Sequence, residues 1–143
     1  MDIAILIFDH LTALDAVGPY EVLRLIPGAN VRMVGVATGP LMASGGLTIV
    51  ATESIDDVVR TDILIVPGGD GVRLAMQDQH LLDWIRSCHR TASWTASVCT
   101  GSLILGAGAY CKAGVRHPIG WLATNLLVWG LTRSTSGWCV MVR

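Results

Sequence analysis

The residues best suited to chemistry lie in Ala92-Ser93-Trp94-Thr95-Ala96-Ser97-Val98-Cys99-Thr100-Gly101-Ser102, a small-residue run entering a glycine-rich helix start with a cysteine at the corner. A nucleophile on a sharp strand-to-helix turn stands clear of the sheet, and the first unpaired N–H groups of the helix face whatever it attacks. The partial positive charge of such a helix end favours a thiolate over a thiol. The chemistry suggested is covalent catalysis by Cys99. The same residues also read as a buried, inert cysteine, the common fate of a lone Cys beside apolar neighbours. A second stretch, Pro67-Gly68-Gly69-Asp70-Gly71, lets backbone approach a ligand closely and aim N–H groups at it. It has neither G-x-x-x-x-G-K-[ST] nor G-x-G-x-x-G, so it is a weak phosphate loop. Asp15 reads by itself as a helix-capping or ion-paired carboxylate.

The elements that must position these residues follow from periodicity. Ile3 to Phe8 is an uninterrupted apolar run, expected of a central parallel strand buried on both faces. Leu14, Val17, Val22, Leu23 and Ile26 form a helical stripe broken at Gly18-Pro19, with Pro19 opening a second helical segment. Val31 to Ala37 is the next strand. Gly39-Pro40 and Gly45-Gly46 bracket a hairpin or edge pair that continues through Leu47 to Ala51. Ser54 to Val59 is expected to be a short helix capped by Ser54. Asp62 to Val66 is a second apolar strand, Gln79 to Arg90 an amphipathic helix with Leu81, Leu82, Ile85 and Cys88 inward, and Ala92 to Val98 the strand that delivers Cys99. His80 and His89, towards the ends of that helix, are expected in solvent. Strands alternating with helices predict a doubly wound, mostly parallel sheet with ligands outside the carboxyl ends of its strands. The loop before Asp15, the Gly68–Gly71 turn and the Cys99 corner all fall on that edge.

The 143 residues give room for one domain, and 52% hydrophobic with 15% charged residues suits a sheet covered on both faces. A net charge of −1 without a Lys/Arg run predicts no direct nucleic-acid binding and no anionic membrane surface as partner, leaving a small molecule. The first apolar run is too short for a signal segment or a membrane span, so a cytoplasmic protein is expected. The four cysteines at 88, 99, 111 and 139 contain no C-x-x-C, and Cys88-His89 has no second ligand pair, so no metal site is expected. Free thiols fit a reducing compartment.

Phe8-Asp9-His10-Leu11-Thr12-Ala13-Leu14-Asp15-Ala16-Val17-Gly18-Pro19-Tyr20-Glu21-Val22, then Val66-Pro67-Gly68-Gly69, then Ser97-Val98-Cys99-Thr100-Gly101-Ser102 resemble the PfpI-type, class I glutamine amidotransferase-like superfamily. Its isonitrile hydratases and the amidase-like sensor domains of some transcription regulators are the nearest branches. The resemblance covers residues 1 to 116. It implies a flavodoxin-like α/β sandwich with helices on both faces, usually a homodimer, with no cofactor. It also implies Cys99 as nucleophile, Asp15 as its acidic partner, Thr100 as an assisting neighbour, and the Gly69, Asp70 and Thr100 amides as oxyanion-type donors. Asp70 itself reads as a turn residue rather than a catalyst.

For an isonitrile, the implied chemistry is attack by the Cys99 thiolate, a covalent thioimidate, and its resolution by water to an N-substituted formamide. Asp15, held neutral, would give a proton and then help activate water. The competing readings are a non-catalytic ligand-sensing domain and an inactive truncated remnant.

From Arg116 onward the character changes. Three of the five Trp residues fall there and acids are absent. The resemblance implies Ala-(Thr/Ser)-His-Trp, where this chain has His117-Pro118-Ile119-Gly120. Loss of one G at the Arg116 codon would account for this, because one allowed coding of Arg116 to Leu122, CGG-CAT-CCC-ATT-GGC-TGG-CTN, then re-reads after Arg as Ala-Ser-His-Trp-Leu-Ala. In the same frame Trp129, Trp138 and Met141, each with one codon ending in G, force Gly, Val and Gly, as the resemblance requires. Residues 117 to 143 are therefore expected to be an out-of-frame tail, the domain's C-terminal part missing, and strand edges and apolar faces left uncovered.

Overall fold

The computed structural model describes residues 1–110, 132–133 and 138–142. Along the chain come β1 (Asp2–Leu6), α1 (Ala13–Leu23), β2 (Asn30–Gly35), β3 (Gly39–Met42), β4 (Thr48–Ala51), β5 (Glu53–Ser54) and β6 (Ile63–Val66). They are followed by α2 (Val72–Ala75), α3 (Gln79–Thr91), β7 (Trp94–Val98), α4 (Gly101–Tyr110), β8 (Thr132–Arg133) and β9 (Trp138–Val142).

Ile3, Ala4, Ile5, Leu6 and Ile7 are completely buried, so both faces of β1 are covered, as its unbroken apolar run requires. Seven strands form one sheet in the order β5-β2-β1-β6-β7-β9-β8. The first five run parallel, with Ile3 beside Val31 on one side and Ile63 on the other. From β1 the chain winds outward to β2 and later returns to place β6 on the opposite side. The switch point therefore lies between β1 and β6, where a crevice opens beyond the strand ends. The expected mostly parallel, flavodoxin-like α/β sheet is what the chain forms.

The foreseen hairpin is β3–β4, antiparallel, with Leu41 opposite Ile49, standing as a separate two-stranded sheet. Four expectations need correction. The α1 segment is one continuous helix with Pro19 inside it, although Pro19 has no N–H for the Asp15 carbonyl. Burial of Ala16 and Pro19 outweighs that local loss. Ser54 to Val59 is no helix, but the end of β5 followed by a turn. Its Ser54 hydroxyl accepts from the Asp57 amide, a cap-like bond that closes the turn locally and offers the backbone an alternative to helix. His89 is half-buried, with Nδ1 3.0 Å from Thr95 Oγ1, while His80 is in solvent and pairs with Asp56. Last, the outer edge of β7 is covered, because β9 lies antiparallel along it from Trp94–Val142 to Val98–Trp138. Trp-Cys-Val-Met-Val is a run of residues that favour strands, and an open edge is a template for such a run. The rest of the expected out-of-frame tail lies outside the described residues.

Candidate active site

The parallel strands β6 and β7 end side by side, Val66 next to Ser97. After Val98 the chain reverses into α4 within two residues, and Cys99 takes φ 53°, the left-handed region that a β-carbon disfavours by about 1–3 kcal/mol. The turn leaves Cys99 exposed. It is tight because α4 starts against the end of β6. A β-carbon on Gly101 would lie 2.2 Å from the Val66 carbonyl oxygen, so no other residue type fits without moving backbone.

Gly68 and Gly69 form a backbone ribbon between this corner and the loop that follows β1. A β-carbon on Gly68 would sit 2.6 Å from Thr100 N, 2.7 Å from Thr100 Oγ1 and 3.0 Å from Cys99 Cβ, so the ribbon passes directly beside Cys99. The Gly68 amide donates to Asp15 Oδ2 at 3.1 Å, and the Gly69 amide donates to Thr100 Oγ1 at 3.1 Å. Thr12 N–H donates to the Gly68 carbonyl at 2.8 Å, and Leu11 bridges Gly69. Asp15, from α1, and Cys99, from the β7–α4 corner, thus flank one glycine although 84 positions separate them in the sequence.

The electrostatics give these groups different characters. Asp15 is 8% exposed, and burial raises its carboxyl pKa, opposed by the hydrogen bond from the Gly68 amide. Burial thus shifts the balance towards the protonated form of a carboxyl that lies across Gly68 from Cys99. Thr100 Oγ1 has one lone pair occupied by Gly69, which leaves its hydroxyl hydrogen to donate outward. The Gly69 amide, expected as an oxyanion-type donor, is engaged by Thr100 Oγ1 in this structure. Cys88, by contrast, is completely buried in α3, and desolvation pushes its thiol up to about 11.

Asp70, the remaining expected site residue, is exposed at the tip of the glycine turn, with Oδ2 3.2 Å from Ser44 Oγ. Ser44, Thr12 and His10 were not singled out from the sequence, although all three bond the ribbon or the loop that holds it. The one available signal was their position in turns flanked by glycine or by the β1 end. Among the described residues, no group of three His, Cys, Asp or Glu side chains could hold a metal ion. No described helix is long and apolar enough to cross a membrane.

The sequence profile of the DJ-1/PfpI family matches residues 1–115. The chain belongs to this family. An isonitrile hydratase of Pseudomonas putida is 39% identical over 127 residues, covering 89% of this chain and 55% of the relative. An uncharacterized protein in the cpoL 5′ region of Streptomyces lividans is 30% identical over 129 residues, covering 87% of this chain and 91% of the relative. A crystal structure of a ThiJ/PfpI family protein from Pseudomonas syringae superposes with a TM-score of 0.72 at 34% identity, over 75% of this chain and 45% of the other. The chain spans about half the length of the hydratase and of the Pseudomonas syringae protein. The DJ-1/PfpI match contains the Asp15 loop, the glycine ribbon and the Cys99 corner, and it stops beside Arg116, where the residue pattern changes.

Proposed function

We propose that this chain carries the nucleophile half of a small-molecule enzyme that hydrates isonitriles. The observation that carries this reading is one glycine, Gly68, whose amide holds the buried Asp15 carboxyl and whose α-carbon lies against Cys99 and Thr100. The similarity to an isonitrile hydratase supports the substrate class.

In the reaction so read, the Cys99 thiolate attacks the terminal carbon of R–N≡C, forming the S–C bond. A proton from neutral Asp15 goes to that carbon, giving the thioimidate R–N=CH–S–Cys99. The Thr100 hydroxyl donates to the substrate nitrogen as electron density builds there. Asp15, now a carboxylate, takes a proton from water as the water oxygen adds to the same carbon, and hands that proton to the nitrogen. Collapse of R–NH–CH(OH)–S–Cys99 breaks the C–S bond, releasing the formamide R–NH–CHO, and the hydroxyl proton passes by way of the sulfur to Asp15, restoring the thiolate and the neutral acid. The sum is one water added to one isonitrile, with no oxidant or reductant.

A homodimer is part of the same reading. Leu14 is 74% and Val22 67% exposed on α1, and Leu74 72% exposed on α2, large apolar side chains that a second copy would cover. The test is turnover of cyclohexyl isonitrile to the formamide, followed by Cys99→Ala. We expect turnover in the unchanged chain and none in the variant, with the thermal transition preserved. Retained turnover in Cys99→Ala, or none in the unchanged protein at any concentration that supports a dimer, overturns the reading.

A further inference from the structure

The β3–β4 hairpin belongs to a separate small sheet, yet its tip is stitched to the site. Ser44, followed by Gly45 at φ 88° and Gly46 at φ 91°, stands at the turn. Its amide donates to the Leu11 carbonyl at 2.8 Å, and its hydroxyl lies 2.9 Å from the His10 carbonyl oxygen and 3.2 Å from Asp70 Oδ2. Both of those partners are acceptors, so the single hydroxyl hydrogen is shared between the loop after β1 and the glycine turn. Further along β3, the His10 amide donates to the Met42 carbonyl at 2.7 Å and the Met42 amide to Asp9 Oδ1 at 2.9 Å.

The His10 carbonyl is a node, since it also accepts from the Gly71 amide at 3.1 Å. His10 itself is held at φ 60°, a conformation a non-glycine residue keeps only when its surroundings over-determine it. On the far side of this node are the bonds that matter to chemistry, Gly68 to Asp15 and Gly69 to Thr100.

We propose that Ser44 is a positioning residue: through the His10 carbonyl and the Asp70 carboxylate it fixes where the Gly68–Gly69 ribbon stands between Asp15 and Thr100. It touches no reacting atom. The proposal rests on the reading of Cys99 and Asp15 given above, and makes the hairpin part of the catalytic apparatus.

The experiment compares Ser44→Ala, which removes the shared hydrogen, with Ser44→Thr, which keeps a hydroxyl. Three readouts are taken: steady-state hydration of cyclohexyl isonitrile, the fraction of chains whose buried Cys88 is alkylated by iodoacetamide, and amide hydrogen exchange at Gly69 and Gly71. Ser44→Ala should lower kcat by about tenfold, roughly the worth of one net hydrogen bond, with KM within twofold and the alkylated fraction unchanged. Ser44→Thr should recover most of that loss. A purely structural role would instead raise the alkylated fraction as activity falls, because unfolding exposes Cys88. That result, or a kcat for Ser44→Ala within twofold of the unchanged protein, overturns the proposal. If the unchanged chain hydrates no isonitrile, the functional reading fails by itself, and exchange decides about Ser44. At least fivefold faster exchange at Gly69 and Gly71 in Ser44→Ala upholds its positioning role, and any smaller change removes it.

Discussion

Replacing Gly68 with alanine tests how closely the site geometry is set. The new methyl group would lie 2.6 Å from Thr100 N and 2.7 Å from Thr100 Oγ1, about 0.8 Å short of ordinary van der Waals contact at the nearer atom. Gly68 is not among the glycines with positive φ, so alanine meets no backbone strain and the effect is steric alone. Neither side gives easily. Thr100 sits at the start of α4, which Gly101 pins against the Val66 carbonyl, and the ribbon is tied to Thr12 and Asp15. Relief therefore separates the Cys99 corner from the Asp15 carboxyl by close to 1 Å. Misplacement on that scale costs on the order of 10²-fold in rate, and overpacking of this kind destabilises by about 1–3 kcal/mol. The assay is kcat/KM for cyclohexyl isonitrile together with the thermal transition. The control is Gly106→Ala in the same helix, where an added β-carbon meets nothing within 4 Å. That variant should keep full activity and gain about 0.5–1 kcal/mol from helix propensity. If Gly68→Ala keeps kcat/KM within about threefold of the unchanged protein, the reasoning from contact distances is refuted.

Asp15→Asn should slow turnover by about 10²-fold or more, the range of a lost acid–base group; an unchanged rate would make Asp15 structural. Because burial raises the Asp15 pKa, the folded chain binds this proton more tightly than the unfolded one, so stability falls as pH rises from the ordinary carboxyl value through the raised one. The variant should lack that loss, melting higher than the unchanged protein at neutral pH, and an identical pH–stability curve for the two would contradict it. For Cys88, iodoacetamide at pH 8 followed by peptide mapping should find it unmodified in native protein and modified after denaturation, consistent with a thiol near 11. Modification of the native chain at a rate matching Cys99 would show that α3 opens readily.

The strands were legible because burial on both faces leaves a plain record in sequence: Ile3 to Phe8 and Asp62 to Val66 contain no residue that could face water except at their ends. The helix at Gln79 was legible for the converse reason, one apolar stripe in a polar segment, although Trp84 lay outside the stripe as read. It is buried, its indole N–H donating to the Val58 carbonyl. What the sequence could not show were outcomes decided by tertiary contact. Pro19 breaks a helix in isolation, yet it lies inside α1 where packing holds it. Ser44 and His10 carry no motif, since their roles depend on a hairpin and a loop 34 positions apart meeting in space. The Gly69 amide was expected to face a substrate, and its bond to Thr100 Oγ1 follows from how closely α4 approaches the ribbon, a distance no residue pattern encodes.

The site itself follows from topology more than from any one motif. Gly68 and Cys99 lie just past the carboxyl ends of β6 and β7, and Asp15 lies in the first turn of α1 after β1, in three separate strand–loop–helix units. Parallel pairing with β6 between β1 and β7 puts those three ends on one edge. The middle unit has to be glycine, because it is the one squeezed from both sides. A side chain at Gly68 would meet Thr100, and one at Gly69 would come within 2.5 Å of the His10 carbonyl oxygen. The outer units can then carry bulky chemistry, an acid on one flank and a thiol on the other, separated by a single peptide thickness. The pairing of an unstrained Gly68 with a strained Cys99 is accordingly the feature on which the proposed reaction depends.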